Sequence, residues 1–208
     1  MTRPGPLPLL LASASPRRRE LLGDLGLRFE VVPPGIDEAL PPGLPPEAAA
    51  EALALAKARA VAGVRPGALV LGADTLVAVG GRTLGKPSDR AQARAYLGLL
   101  SGSTHRVVTG LALGPSPDGP WRVGHAVTEV TMRRIEVAEV EAYLESGEWE
   151  GKAGGYAIQE TADRFVTRLE GSRTNVVGLP VELLVEYLRL EGIAVPGEPP
   201  IARSPNAG

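Results

Sequence analysis

Arg17, Arg18 and Arg19 follow Ser13-Ala14-Ser15-Pro16 and precede Glu20-Leu21-Leu22. Ser15 suits a helix N-cap, and Pro16 suits the first helical position because its missing N–H would be unpaired there. Three cations then occupy a first turn whose dipole is already positive, which is unfavourable unless an anion lies opposite. Backbone N–H groups, two serine hydroxyls and guanidinium forks together make a phosphate site; a capped surface helix with solvated arginines is the plainer alternative. Asp74 closes the apolar run 68–73. α/β sheets place ligands at such strand ends, and a carboxylate there can serve as general base or simply cap a turn. Glu38, in Ile36-Asp37-Glu38 after a proline break, is a second carboxylate. Of 22 basic residues only Lys57, Lys86 and Lys152 are lysine. In a chain that otherwise uses arginine, a surviving lysine reads as a place needing a compact point charge. Lys57 falls on a helix face, and Lys86 is fixed between Gly85 and Pro87 in a tight turn. Gln159 and Asn175 are scarce amides in unusual stretches, and Gly151 to Tyr156 reads as a loop that lets backbone approach a ligand, or as a hairpin turn.

The elements that must position these residues are legible in outline. Leu7–Ala12 and 29–32 read as strands, with a helix from Pro16 to Leu25 stopped by Gly26. The alanine- and leucine-rich stretch 47–61 reads as a helix. The apolar run 68–73 reads as a central strand ending at Asp74-Thr75, with a hairpin at 76–84 around Gly80-Gly81. Ser88 is expected to cap a helix over 89–100. Long strands are expected at 106–113 and 121–134, a helix at 136–144, and short strands at 156–158 and 165–169. Residues 171–175 read as a turn, and Pro180 starts a last helix to about Glu191. The proline-rich tail from Val195 is expected to be disordered, leaving one catalytic domain over 1–194.

Composition removes several functions. The 208 residues suffice for one α/β domain, or two lobes sharing a sheet. A net charge of −2 and a pI of about 5.8 argue against a sequence-independent nucleic-acid binder. The chain has no cysteine, hence no disulfide framework, zinc-thiolate site or thiol nucleophile. There is no phosphate-loop motif and no nucleophile elbow, and the only histidines are His105 and His125, so a Ser-His-Asp triad is unsupported. His105, in a strand, reads as structural. No apolar run approaches the roughly 18 residues of a membrane span. Pro4, Pro6 and Pro8 make a poor signal peptide, and a cytoplasmic protein is expected.

Eight blocks occur in order: S-A-S-P-R-R-R-E-L-L (13–22), I-D-E (36–38), L-A-x-x-K-A (53–58), G-A-D-T (72–75), G-K-P (85–87), S-G-x-T-H-x-V-x-T-G (101–110), G-K-A-G-G-Y-A-I-Q (151–159) and G-S-x-x-N-V-V-G-L-P (171–180). This set closely resembles the Maf family of nucleoside triphosphate pyrophosphatases, from about Leu9 to Glu191. One departure is Glu160-Thr161-Ala162-Asp163, where the family usually has glycines, which bears on the local loop shape. The resemblance implies an α/β fold: an elongated mixed sheet flanked by helices, with two lobes around a central cleft, related to the inosine-triphosphatase-like proteins and often a homodimer. It places Asp74 as base, with Ser13, Ser15, Arg17, Arg18, Glu38, Lys57, Lys86 and Gln159 around the substrate. A nucleoside triphosphate brings close to four negative charges that need compensation. Arg18, Lys57, Lys86, the first helix N-terminus and a divalent cation, magnesium or manganese, can supply it. Asp74 and Glu38 match the one or two carboxylates that magnesium takes. Pyrophosphate would leave on the side of the metal and Lys86.

The family's branches differ at the positions held here by Arg17, Thr75 and Gln159, and this set resembles the branch acting on dTTP and UTP. The branch acting on 7-methylguanosine triphosphate has Trp, Gln and Glu instead. A cationic methylated guanine would be repelled by Arg17, whereas the Gln159 amide matches the N–H and carbonyl edge of uracil or thymine. Two other readings stand beside this one. One is a pyrophosphatase for modified purine nucleotides such as inosine triphosphate. The other is a non-enzymatic regulator of septum formation or cell division acting through Arg17 to Arg19; the absence of aromatic residues among those arginines argues against nucleic acid as its partner.

Overall fold

The computed structural model describes residues 7–40, 43–117 and 119–197. Leu9–Ala12 forms β1, buried along its whole length, as a strand covered on both faces must be. Pro16–Asp24 forms α1, with Ser15 as N-cap, and the chain turns away at Gly26 with φ +70°. β2, Phe29–Val31, lies parallel to β1 at the sheet edge. α2, Pro46–Ala62, buries Ala49, Ala50, Leu53, Ala54, Lys57, Ala58, Val61 and Ala62, a stripe of mostly small side chains at helical spacing. β3, Leu69–Val79, turns at Gly80-Gly81, both at positive φ, into β4, Arg82–Leu84. Then come α3 (Arg90–Leu100), β5 (Thr104–Pro115), β6 (Arg122–Met132), α4 (Val137–Glu145), β7 (Val166–Glu170), α5 (Arg173–Val177) and α6 (Val181–Leu190).

The sheet runs β2-β1-β3-β5-β6-β7, parallel among its first three strands and antiparallel thereafter. β4 also pairs with β3, antiparallel. This is the mixed α/β sheet flanked by helices that was expected. The apolar core gathers at the two ends of the long strands. Leu69 and Leu71 of β3 and Leu111 and Leu113 of β5 pack with α1 and α6. Val77 and Val107, farther along, pack with α3, α4 and Phe165. α2 lies across the opposite face.

Several expectations are corrected. β3 does not stop at Ala73: it continues for 11 residues, so Asp74 is mid-strand. Asp89, not Ser88, caps α3, its carboxylate accepting from Gln92 N at 2.8 Å. Residues 156–158 form no strand, because Ala153–Gly155 makes a 3₁₀ turn with Gly154 left-handed, after which the chain turns rather than pairs. The turn expected at 171–175 is the start of α5, capped by Ser172. The tail is held further than expected: Val195 packs on the core and Gly197 N donates to Leu25 O at 2.9 Å. The remainder of that tail, 198–208, lies outside the described residues, as do 1–6 and Pro41-Pro42 of the proline-rich connection.

Candidate active site

β1 and β4 pair with the same side of β3 and leave a gap between them. β1 covers Leu69 to Gly72 and β4 covers Val77 to Val79, while β5 runs unbroken along the other side. Residues 73–76 therefore present an open edge. The strand that ends beside the site is β1, not β3; it delivers Ser13, Ser15 and the start of α1 to one wall, and the turn after β4 delivers Lys86 to the other. A cleft of about 960 Å³ opens there. Ser13, Ser15, Arg17, Arg18, Glu38, Lys57, Asp74, Thr75, Lys86 and Gln159 all line it, so the structure brings together the ten residues that the family resemblance implicates; Lys152 lines it too, whereas Asn175 lies outside the lining.

Asp74 faces α2. Gly72, on the same face of β3, and Gly110, directly across from Asp74 on β5, have no side chains, so the backbone of α2 lies against the sheet. A Cβ at Gly110 would fall 2.2 Å from Ala50 O, and one at Gly72 2.3 Å from Ala54 O. This approach lets Lys57, 2% exposed, reach Asp74 Oδ1 at 2.6 Å. The same ammonium lies 2.7 Å from Glu38 Oε1, and Lys86 Nζ pairs with Glu38 Oε2. Partial burial pushes the Glu38 carboxyl up, but hydrogen bonds from Lys57 and Lys86 outweigh that and hold it at about 2. The loop after β2 is thereby pinned across the cleft by two lysines from different elements.

Thr75 faces the other side of the sheet, toward α1. Arg18 Nη2 donates to its hydroxyl at 3.0 Å, Nη1 donates to Ser13 Oγ at 3.3 Å, and Nε donates to Gly178 O at 2.7 Å. Burial lowers the Arg18 guanidinium from its usual value, and Asp74 and Glu38 pull it back. Thr109 gives its single hydroxyl proton to Asn175 O at 3.0 Å, so Thr75 must be the donor in its 3.0 Å contact with Thr109. Asn175 in turn donates to Val107 O at 3.1 Å and Thr128 Oγ1 at 3.0 Å. The Thr75 proton is thus committed, leaving a ligand only a lone pair. Arg17, half-buried, and Gln159, exposed, also line the cleft, and neither side chain makes a hydrogen bond among the described residues. Burial lowers the Arg17 guanidinium, and the Glu160 charge offsets part of this.

A sequence profile described as "Maf-like protein" matches residues 8–191. The chain belongs to the Maf family. A protein of Moorella thermoacetica named dTTP/UTP pyrophosphatase is 53% identical over 189 residues, 91% of this chain and 97% of that protein. Proteins of the same name from Pelotomaculum thermopropionicum and Desulforamulus reducens are 46% and 44% identical, each over 90% of this chain and 98% of their own length.

The Maf cleft holds residues that sequence reasoning did not assign. The Gly178 carbonyl anchors Arg18 directly, and Thr109 and Asn175 order Thr75, which accepts from it; the rarity of asparagine marks only Asn175. Tyr156 and Lys152 also line the wall. The divalent cation implied by the Maf resemblance fits the donors. Glu38 and Asp74 converge on one ammonium and offer hard oxygen ligands. Among the described residues no group of three or more His, Cys, Asp or Glu is placed to hold an ion. Water and phosphate oxygens would have to complete the shell, the pattern magnesium favours.

Proposed function

We propose that this Maf protein hydrolyses dTTP and UTP to the nucleoside monophosphate and pyrophosphate. The observation that carries the reading is Lys57 between Glu38 and Asp74, in the same cleft as an anchored Arg18 and Gln159. The names of the relatives supply the nucleotides. Asp74 takes a proton from the water that attacks the α-phosphorus; the new P–O bond forms as the α–β anhydride bond breaks. Lys57 holds Asp74 Oδ1, leaving the second carboxylate oxygen for that proton. Ser13, Ser15 and the start of α1 offer donors to the α-phosphate, and Lys86 sits where the leaving pyrophosphate gathers charge. A magnesium or manganese ion held by Glu38 and Asp74 would neutralise phosphate oxygens and polarise the reacting phosphate. Gln159 and Arg17 read the pyrimidine edge, and Thr75 sets where Arg18 points. A homodimer, which the family resemblance implies, and a cytoplasmic location belong to the same proposal; no described helix is long and apolar enough to cross a membrane.

The test is pyrophosphate release from UTP, dTTP, CTP, GTP and 7-methyl-GTP with magnesium, repeated in excess chelator. The expected result is highest kcat/KM for UTP and dTTP, abolished by chelator. A preference for the methylated purine would overturn the roles given to Arg17, Thr75 and Gln159. Full activity in chelator would remove the metal.

A further inference from the structure

Lys152 is the lysine to which the foregoing roles give no task. Its side chain lines the cleft and is 17% exposed. Its one ion pair among the described residues is with Glu160 Oε1 at 3.9 Å, beyond hydrogen-bonding range, and Glu160 is 38% exposed. Lys57 shows the contrast, gripped by two carboxylates within 2.7 Å. A largely buried ammonium with one distant, solvated counter-ion is poorly compensated unless a ligand brings an anion.

The backbone keeps Lys152 in place. Gly155 N donates to Lys152 O at 3.0 Å and Lys152 N to Trp149 O at 3.3 Å. Gly154, at φ +67°, is pressed on Val77, and its N–H donates to Gly85 O at 2.9 Å. Gly85 is the residue before Lys86. The two lysines therefore ride on chain segments hydrogen-bonded to each other, on one wall of the cleft. The cleft lining carries as many carboxylates as cations, and Arg18, Lys57 and Lys86 are already engaged. A polyanion entering it meets Lys152 as a cation without a close partner. A compact ammonium suits phosphate oxygens, whereas a neutral pyrimidine offers it only a carbonyl lone pair.

We infer that Lys152 is a further polyphosphate contact: with Lys86 it grips the terminal phosphates of the substrate and holds the pyrophosphate product. This rests on the pyrophosphatase reading, so the test measures binding and hydrolysis separately. Inorganic pyrophosphate and UMP are titrated calorimetrically, with magnesium, into the wild-type protein, Lys152→Met and Glu160→Gln, and melting temperatures are recorded. Loss of one charge-assisted contact should raise the Kd of pyrophosphate about tenfold or more in Lys152→Met, with UMP changed less than about twofold. Glu160→Gln removes the competing carboxylate and should tighten pyrophosphate several-fold. Weakening confined to UMP, equal weakening of both ligands with a lowered melting temperature, or no change in either variant would each overturn the inference. If Lys152→Met fails to fold, Glu160→Gln decides alone. Wild-type protein that binds pyrophosphate through Lys152 but releases none from any nucleotide would overturn the pyrophosphatase reading instead.

Discussion

Asp74 and Thr75 are neighbours in sequence whose side chains leave opposite faces of β3, and both line the cleft because the strand edge between β1 and β4 is open. Each serves a different cation: Asp74 holds Lys57, and Thr75 holds Arg18. Replacing Asp74 with Asn keeps the shape and a Lys57 acceptor but removes a proton acceptor. Turnover of UTP should fall about 10²–10⁴-fold, the usual weight of a positioned base, while nucleotide still binds in a titration. Near-normal turnover would exclude Asp74 as base. Asp74, Lys86 and the arginines that line the cleft stood out in the sequence by their place at an expected strand end, a tight turn and a helix start, whereas Glu38 and Lys57 were put beside them by the family resemblance. The neutral residues that aim them did not stand out. Thr109 looks like any strand threonine, and Gly178 acts through its carbonyl, which carries no sequence signal. Lys57 was legible as a helix residue, but its two partners lie in a loop and a strand that only folding brings together.

At the scale of elements, the decisive contact is α2 on β3 and β5. Gly72 and Gly110 make it possible, and the buried alanines of α2 complete it. Gly110→Ala would drive a methyl group into the Ala50 carbonyl, which is backbone and cannot swing aside. The expected cost is about 1–3 kcal/mol or more from overpacking, read as a lower urea midpoint. Because Gly110 is the cross-strand partner of Asp74, displaced α2 should also carry Lys57 away from it, so kcat should fall even where the variant is fully folded. Unchanged kcat in folded protein would mean that α2 tolerates the shift. Most elements were legible from periodicity and breakers. The exceptions have physical causes. An apolar run gives no sign of where pairing on one side stops, so β3 read as ending where only β1 does. The five residues of α5 are too few to show a period, and the glycines at 154 and 155 were compatible with either a hairpin or a 3₁₀ turn.

Across the molecule, His105 reports on folding as pH changes. It is 1% exposed, its Nε2 lies 2.8 Å from Tyr156 OH, and its Nδ1 has no hydrogen-bond partner among the described residues. Burial lowers its pKa from 6.5 to about 4. Between those values the unfolded chain takes up a proton that the folded one refuses, so this contribution is whole above about pH 6.5 and fades as pH falls to about 4, by up to about 3 kcal/mol. Urea midpoints measured over that window should fall more steeply for the wild-type protein than for His105→Gln; parallel profiles would show that His105 titrates normally. The open stretch of β3 at 73–76 bears on how this enzyme can change over time. An unpaired strand edge offers main-chain N–H and C=O groups, and these are the same whichever side chain a residue other than proline carries. Any recognition exercised through them persists through substitution, and replacing side chains one at a time will not register it. Only a change to the main chain itself, a proline or an ester in place of an amide, would reach that part of the site.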